Sequence, residues 1–305
     1  MIKRPILVTG AHRTGTTWVG KMLAADDDTA YISEPLNVLH RPGVFRAPVR
    51  YWYTYICKEN EAEFLPAFDE LLDFDYHLWD EFRSIRSRKD FLRMGRDFRA
   101  FYIANLHGQR ALLKDPFAVF SLPWFAGKLN CEIIVTVRHP AAFASSLKRL
   151  DWSFDFNDLL DQSLLMRDRL GPFRKNMEAV AKDDLIGQAA LLWTMIYRAV
   201  HTDREHLSPI RVVRHEEFSL DPIASYRNLY TELGLNFTPR VEKTILKFSG
   251  SENPTELSKD MTHSVKLDSR ANIDNWKKRL SPDEIKRIRN VTEEVVDLFY
   301  PDIHW

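Results

Sequence analysis

Short apolar runs bounded by turn residues alternate along the chain with stretches of helical periodicity. Ile6 to Thr9, Ala111 to Leu113, Glu132 to Val137 and Ile210 to Val213 have the length and branched-aliphatic content of buried strands. Between and beyond them, Thr16 to Ala25, Phe91 to Leu106, Pro140 to Leu150, Ile186 to His206, Pro222 to Leu233 and Pro282 to Phe299 read as helices. Several open on a proline, which suits the first helical turn because its missing N–H is unpaired there anyway. This alternation predicts an α/β fold with a central parallel sheet flanked by helices, in one domain spanning residues 1–305. Leu36 to Glu81 and Asp151 to Asp184 fit the alternation worst and are the places where a ligand pocket has room to form. The first of them carries Tyr51, Trp52, Tyr53, Tyr55, Tyr76 and Trp79, which either line a groove or cap the sheet as ordinary core.

Composition narrows the picture by exclusion. Lys plus Arg and Asp plus Glu each number 43, so no net positive field gathers nucleic acid, which is not an expected partner. Two cysteines, Cys57 and Cys131, supply neither a disulfide framework nor a zinc site. The first ten residues pass from a short apolar run directly into a glycine motif, and no run is long enough to span a bilayer. The expectation is a cytoplasmic protein without a transmembrane segment.

The strand ending at Thr9 leads into Gly10-Ala-His-Arg-Thr-Gly-Thr-Thr17 and then into an amphipathic helix. In that context backbone amides and a helix N-terminus cradle a phosphate. The nucleoside triphosphatase pattern places Lys and then Ser or Thr directly after the second glycine, whereas here Gly15 is followed by Thr16 and Thr17. Arg13 inside the loop supplies the cation instead. A P-loop kinase is the alternative reading, although the lysine and a metal-binding acid after a later strand are not evident.

A second anion site is expected where the strand Glu132 to Val137 runs into Arg138-His139-Pro140, since parallel sheets bind ligands at the C-terminal ends of their strands. Pro140 and Ser146 lie roughly 9 Å apart at helical rise, which lets Ser146 meet Arg138 at one anion. Two anion sites on one sheet suit a ligand with phosphates at two positions.

With these motifs in place, the chain resembles the PAPS-dependent sulfotransferases over nearly its whole length. His12-Arg-Thr-Gly-Thr-Thr-Trp18 resembles the family's 5'-phosphosulfate loop. The resemblance makes Arg13, Thr14, Gly15, Thr16 and Thr17 donor-binding residues and Trp18 the residue stacked on adenine. Ile134 to Pro140 with Ser146 resembles the 3'-phosphate motif, with the family's Arg-to-Ser spacing between Arg138 and Ser146. Arg270-Ala-Asn-Ile-Asp-Asn-Trp276 resembles the C-terminal loop that folds over the 3'-phosphate, with Arg270 as its cation, but it lacks both family glycines and is one residue shorter. Val213-Arg-His-Glu-Glu-Phe218 resembles the segment whose acid supports the fold around the cofactor. The resemblance implies a P-loop-like sulfotransferase fold and transfer of a sulfuryl group from 3'-phosphoadenylyl sulfate (PAPS), with no metal, to a small-molecule or glycan acceptor.

Sulfuryl transfer needs in-line positioning and stabilised charge on the leaving phosphate, with a base removing the acceptor's proton. Arg13 is the first candidate for the cation; being permanently charged it donates hydrogen bonds but is no base. Lys114, where the family commonly has a lysine, is the second. The cytosolic phenol and hormone branch places a histidine after that lysine, but here Asp115 and Pro116 follow. Glu34, in Tyr31-Ile-Ser-Glu-Pro-Leu36, occupies the place where carbohydrate-acting branches carry a glutamate and is the candidate base, with Asp115 in reserve. The glutamate favours a carbohydrate or other aliphatic alcohol as acceptor. A protein that binds PAPS or its product without turnover is a further alternative, opposed by the joint presence of Arg13, Lys114 and Glu34.

Overall fold

The structure, a computed structural model, describes residues 3–207, 210–256 and 266–305. Five parallel strands form one sheet: β1 (Ile6–Gly10), β2 (Thr29–Ser33), β3 (Arg110–Lys114), β4 (Glu132–Val137) and β5 (Ile210–Arg214), in the spatial order β2-β3-β1-β4-β5. The four strands expected from apolar runs are all present. β2 is an addition to them, because Thr-Ala-Tyr-Ile-Ser is a short edge strand with partly exposed positions and lacks the continuous apolar run of its neighbours.

Period-two alternation divides the core into two layers. Leu7, Leu113, Ile133 and Val135 point to one face, where helices Pro140–Leu150 and Leu185–His206 cover them with Trp193, Ile196 and Tyr197. Ile6, Val8, Leu112 and Ile134 point to the other, against Trp18 and Val19 of helix Thr16–Leu23, Tyr226 and Tyr230 of helix Pro222–Leu233, and Ile245 of helix Pro239–Ser249. The last of these helices also adds to the expected set; Thr238 caps it and Pro239 opens it. The six helices expected from periodicity are present, some with shifted ends, and shorter ones such as Leu65–Leu72, Leu78–Ser84 and Leu122–Gly127 add to them. Helix Arg88–Leu106 starts before Phe91 because Ser87 caps it by accepting from the amide of Asp90, and the final helix, Pro282–Val296, stops short of Phe299. No helix among the described residues is long and apolar enough to cross a membrane.

The strand order places the ligand crevice. The chain leaves β1 toward β2 on one side and leaves β4 toward β5 on the other, so the connections diverge at the C-terminal ends of β1 and β4. The loop carrying Arg13 and the turn carrying Arg138 emerge there.

Candidate active site

Two glycines shape the loop after β1. Gly10 has φ 135°, and a Cβ there would lie 2.3 Å from the Thr136 carbonyl oxygen of the adjoining strand. Gly15 has φ 98°, and its Cβ would lie 2.7 Å from Nδ1 of His215. The loop is tied down from three sides. The buried Thr14 hydroxyl shares a 2.7 Å hydrogen bond with that of Thr136. The Tyr197 hydroxyl donates to the Thr136 carbonyl at 2.8 Å and accepts from the amide of Ala11 at 3.4 Å. Tyr53 meets Nδ1 of His12 at 2.6 Å, and burial pushes the His12 imidazolium down to about 4, with Arg13 assisting, so the ring is neutral. No side chain caps the first turn of helix Thr16–Leu23, which leaves an N-terminus suited to an oxyanion.

Arginines surround the crevice beside this loop. The Arg13 Nε donates to Ser146 Oγ at 3.3 Å, and its guanidinium lies over the Trp152 ring at 5.7 Å. Arg138 donates to the Arg13 carbonyl at 3.4 Å, while its buried Nε has no hydrogen-bond partner among the described residues. Arg149 and Arg279 both pair with Glu256, at 3.5 and 2.6 Å, and Arg279 also donates to Ser145 at 3.3 Å. Arg13, Arg138, Arg149, Arg279 and Ser146 line one cleft of about 50 Å³ with a single carboxylate among its walls. Burial, then the charges of Arg138 and Arg149, push the Arg13 guanidinium down to about 10. Burial also lowers Arg138, with Glu216 opposing. Such a concentration of desolvated positive charge is relieved by a bound anion.

Arg270 does not line this cleft. Its guanidinium donates to the Leu220 carbonyl at 2.7 Å beside a separate pocket bordered by Ser219, Ser249 and Ser269. The C-terminal segment reaches the cleft through Asn272, Asn275, Trp276 and Arg279 instead. Arg149 and Arg279 are the cations that sequence reasoning missed. Arg149 was accessible in principle, since it follows Ser146 by one helical turn.

On the other side of the loop, Glu34 and Lys114 meet at the C-terminal ends of β2 and β3. They form an ion pair in which Lys114 is almost fully buried. Asn37 Nδ2 donates to the second Glu34 oxygen at 2.7 Å, and the Glu34 amide donates to the Lys114 carbonyl at 2.8 Å. Thr17, Lys21, Tyr31, Glu34 and Lys114 line a larger cleft, about 710 Å³, closed on its far side by Arg93, Arg96 and Phe101. The loop therefore lies between an arginine-lined cleft and a roomier one that holds the carboxylate. Asp115 is a poor candidate for a base: it is fully buried, and both oxygens accept backbone amides, from Leu36 at 2.6 Å and Phe117 at 2.9 Å. Burial pushes it up to about 7, and the two amides and Lys114 oppose this.

The aromatic residues after Leu36 do not form the wall of the larger cleft. Tyr53 and Tyr55 are core, Trp52 packs on Phe117 with centroids 4.6 Å apart, and Trp79 is exposed. Trp18 is also buried, edge-on to His215 and Tyr226. In this group, polar atoms with no partner among the described residues are Trp18 Nε1, both ring nitrogens of His215 and the Tyr226 hydroxyl. Buried polar atoms are normally satisfied, so this grouping stands out within the core. Burial and Arg138 keep His215 neutral, so it presents one donor and one acceptor.

A nucleotide-type loop at a sheet switch point, an arginine-lined cleft and a separate carboxylate-bearing cleft define a group-transfer enzyme of P-loop-like fold. The profile of the sulfotransferase family matches residues 5–239, and the chain belongs to that family. Among solved structures, sulfotransferase STF9 from Mycobacterium avium shares the fold, with a TM-score of 0.50 at 16% identity and 100% of this chain and 78% of that one covered. A sulfotransferase domain from the curacin biosynthetic pathway has a TM-score of 0.49 at 14% identity, with 94% and 96% covered. Mouse sulfotransferase SULT7A1, solved with PAP, has a TM-score of 0.44 at 12% identity, with 96% and 84% covered. Among curated proteins none matches the sequence.

Proposed function

We propose that this sulfotransferase takes its sulfuryl group from PAPS and passes it to a hydroxyl on a carbohydrate or other aliphatic alcohol. The observation that carries the donor assignment is the pairing of the Arg13–Arg138–Arg149–Arg279 cleft with the unsatisfied polar atoms around Trp18 and His215. Arg138, Ser146, Arg149 and Arg279 hold the 3'-phosphate, and Arg270 stays outside that contact. The loop amides and hydroxyls from Thr14 to Thr17 hold the 5'-phosphosulfate, with Arg13 meeting charge on the leaving phosphate. The adenine lies against Trp18, where the neutral His215 matches an adenine edge that also offers one donor and one acceptor.

PAPS supplies an activated sulfuryl group whose departure leaves adenosine 3',5'-bisphosphate. Lys114 and Asn37 hold the Glu34 carboxylate toward the larger cleft, where it accepts the proton of the acceptor hydroxyl. Lys114, which shares that cleft with Glu34 and Thr17, is the second cation after Arg13. Calorimetric titration with adenosine 3',5'-bisphosphate, and separately with ATP and magnesium, tests the reading. Tight binding of the bisphosphate alone is expected, and preference for ATP with magnesium overturns it in favour of a kinase.

A further inference from the structure

Helix Arg88–Leu106 carries out two tasks on two faces. Its inner side contributes Met94, Phe101 and Ala104 to the core and Arg93, Arg96 and Asp97 to the larger cleft. Its outer side is apolar where water should favour polar groups. Phe91, Phe98, Tyr102 and Leu106 recur along one stripe at helical spacing, with Leu92 at its border, and they are 53, 42, 60, 64 and 72% exposed respectively. The preceding helix, Leu78–Ser84, packs against this one and exposes Trp79 and Phe82. Most of the large hydrophobics that the described residues leave exposed thus come from one stretch of chain, which is more than scattered surface side chains produce.

Charge decides what fits this face. Arg83, Arg86, Arg88, Lys89 and Arg99 are all exposed, and no acid among the described residues pairs with any of them. The acids close by are engaged: Asp90 with Arg93, Asp97 with Arg41 and Arg96, and Glu81 with Arg41. In a chain with equal numbers of acidic and basic residues, this is a local excess of positive charge. A second copy docked across a two-fold axis would set that cationic face against itself, which opposes dimerisation. Exposed aromatic rings and leucines between unpaired arginines and a lysine match a bilayer surface, where rings enter the interface and cations meet anionic headgroups.

We infer that helix Arg88–Leu106, with Trp79 and Phe82 beside it, docks this enzyme on membranes bearing anionic lipid. The larger cleft is walled by the opposite side of the same helix, so docking brings that cleft close to the bilayer. The inference stands on the surface alone and does not depend on the identity of the donor.

Sedimentation of the full chain with phosphatidylcholine vesicles, with and without about one-third phosphatidylglycerol, tests it. Binding to the anionic vesicles, weakened by salt, is expected. Charge reversal at Arg88→Glu with Lys89→Glu weakens it about tenfold or more. Phe98→Ser with Tyr102→Ser also weakens it, whereas their circular dichroism and bisphosphate binding stay those of the parent chain. Absence of binding to either vesicle, equal binding to both, or a concentration-dependent dimer abolished by the Phe98 and Tyr102 changes would overturn it.

Discussion

Replacing Arg138 by methionine separates ligand affinity from stability. In the folded chain burial lowers the Arg138 guanidinium, Glu216 opposes this and Arg279 and Arg149 add to it, and its Nε lacks a partner among the described residues. Its one side-chain hydrogen bond among the described residues is a long one, 3.4 Å to the Arg13 carbonyl, and Trp193 bonds only the Arg138 carbonyl, which the substitution keeps. Glu216 is not orphaned, because it also accepts from the His139 amide and the Tyr300 hydroxyl. Methionine fills much of the same volume, so stability is expected to hold or rise slightly, as when buried charges yield to apolar side chains. Affinity for the 3'-phosphate moves the other way. A charge-assisted hydrogen bond is worth about 1.5–3 kcal/mol, and unit charges about 4 Å apart at an effective dielectric of about 20 interact by about 4 kcal/mol. A loss of about 2–4 kcal/mol means adenosine 3',5'-bisphosphate binds about 30- to 1000-fold more weakly. Calorimetry with this ligand and with adenosine 5'-monophosphate reads the effect, because the monophosphate lacks the group Arg138 holds and should bind as before. Equal weakening of both ligands, or a collapse of the melting temperature, would refute the reasoning.

Glu34→Gln keeps one oxygen for Lys114, gives up the contact with Asn37 Nδ2 and removes the base, so turnover should drop about 10²–10⁴-fold with bisphosphate affinity unchanged; loss of that affinity would show Glu34 to be a structural prop of the loop. Gly15→Ala forces a side chain into a left-handed conformation costing about 1–2 kcal/mol and pushes its Cβ against His215, so donor affinity should fall with only modest loss of melting temperature. Stability should decline as pH falls from about 6.5 to about 4, since His12 and His139 are both held near 4 by burial and the unfolded chain takes up their protons first. The buried His215 adds to this decline. Asp115, raised to about 7, has the opposite sign: its protonated form favours folding at low pH, and that contribution is lost as pH rises toward 7. Thermal melts across this range should show the histidines prevailing, and a melting temperature that climbs on acidification would contradict it.

Local features were legible in the sequence and assembled ones were not. The glycine loop, its arginine and the helix after it are contiguous, so Gly10 to Thr17 could be read from the sequence as one loop between a strand and a helix. Arg138 and Ser146 share a strand end and its helix, and the structure places both in one cleft. Arg279 enters that cleft only because the C-terminal segment packs back over helix Pro140–Leu150, where Trp276 stacks on His139 with centroids 4.8 Å apart. No local pattern encodes such a return, and the residue with the family-like spacing, Arg270, ends up on another surface. Composition left Tyr53 and Tyr55 open between a groove and the core, and they lie inside: Tyr53 braces the loop at His12, and Tyr55 bonds Asp168 at 3.2 Å. The positive φ of 52° at Glu34, which turns the chain at the end of β2, is equally invisible in a sequence.

The most direct test of sulfuryl transfer from PAPS is incubation of the chain with sulfate-labelled PAPS and a panel of sugar and aliphatic alcohols, following both labelled ester and released adenosine 3',5'-bisphosphate. Equal amounts of the two, without added metal and abolished by Glu34→Gln, are the expected result. Intact PAPS across the panel, with phosphate transferred instead from ATP in the presence of magnesium, would contradict it.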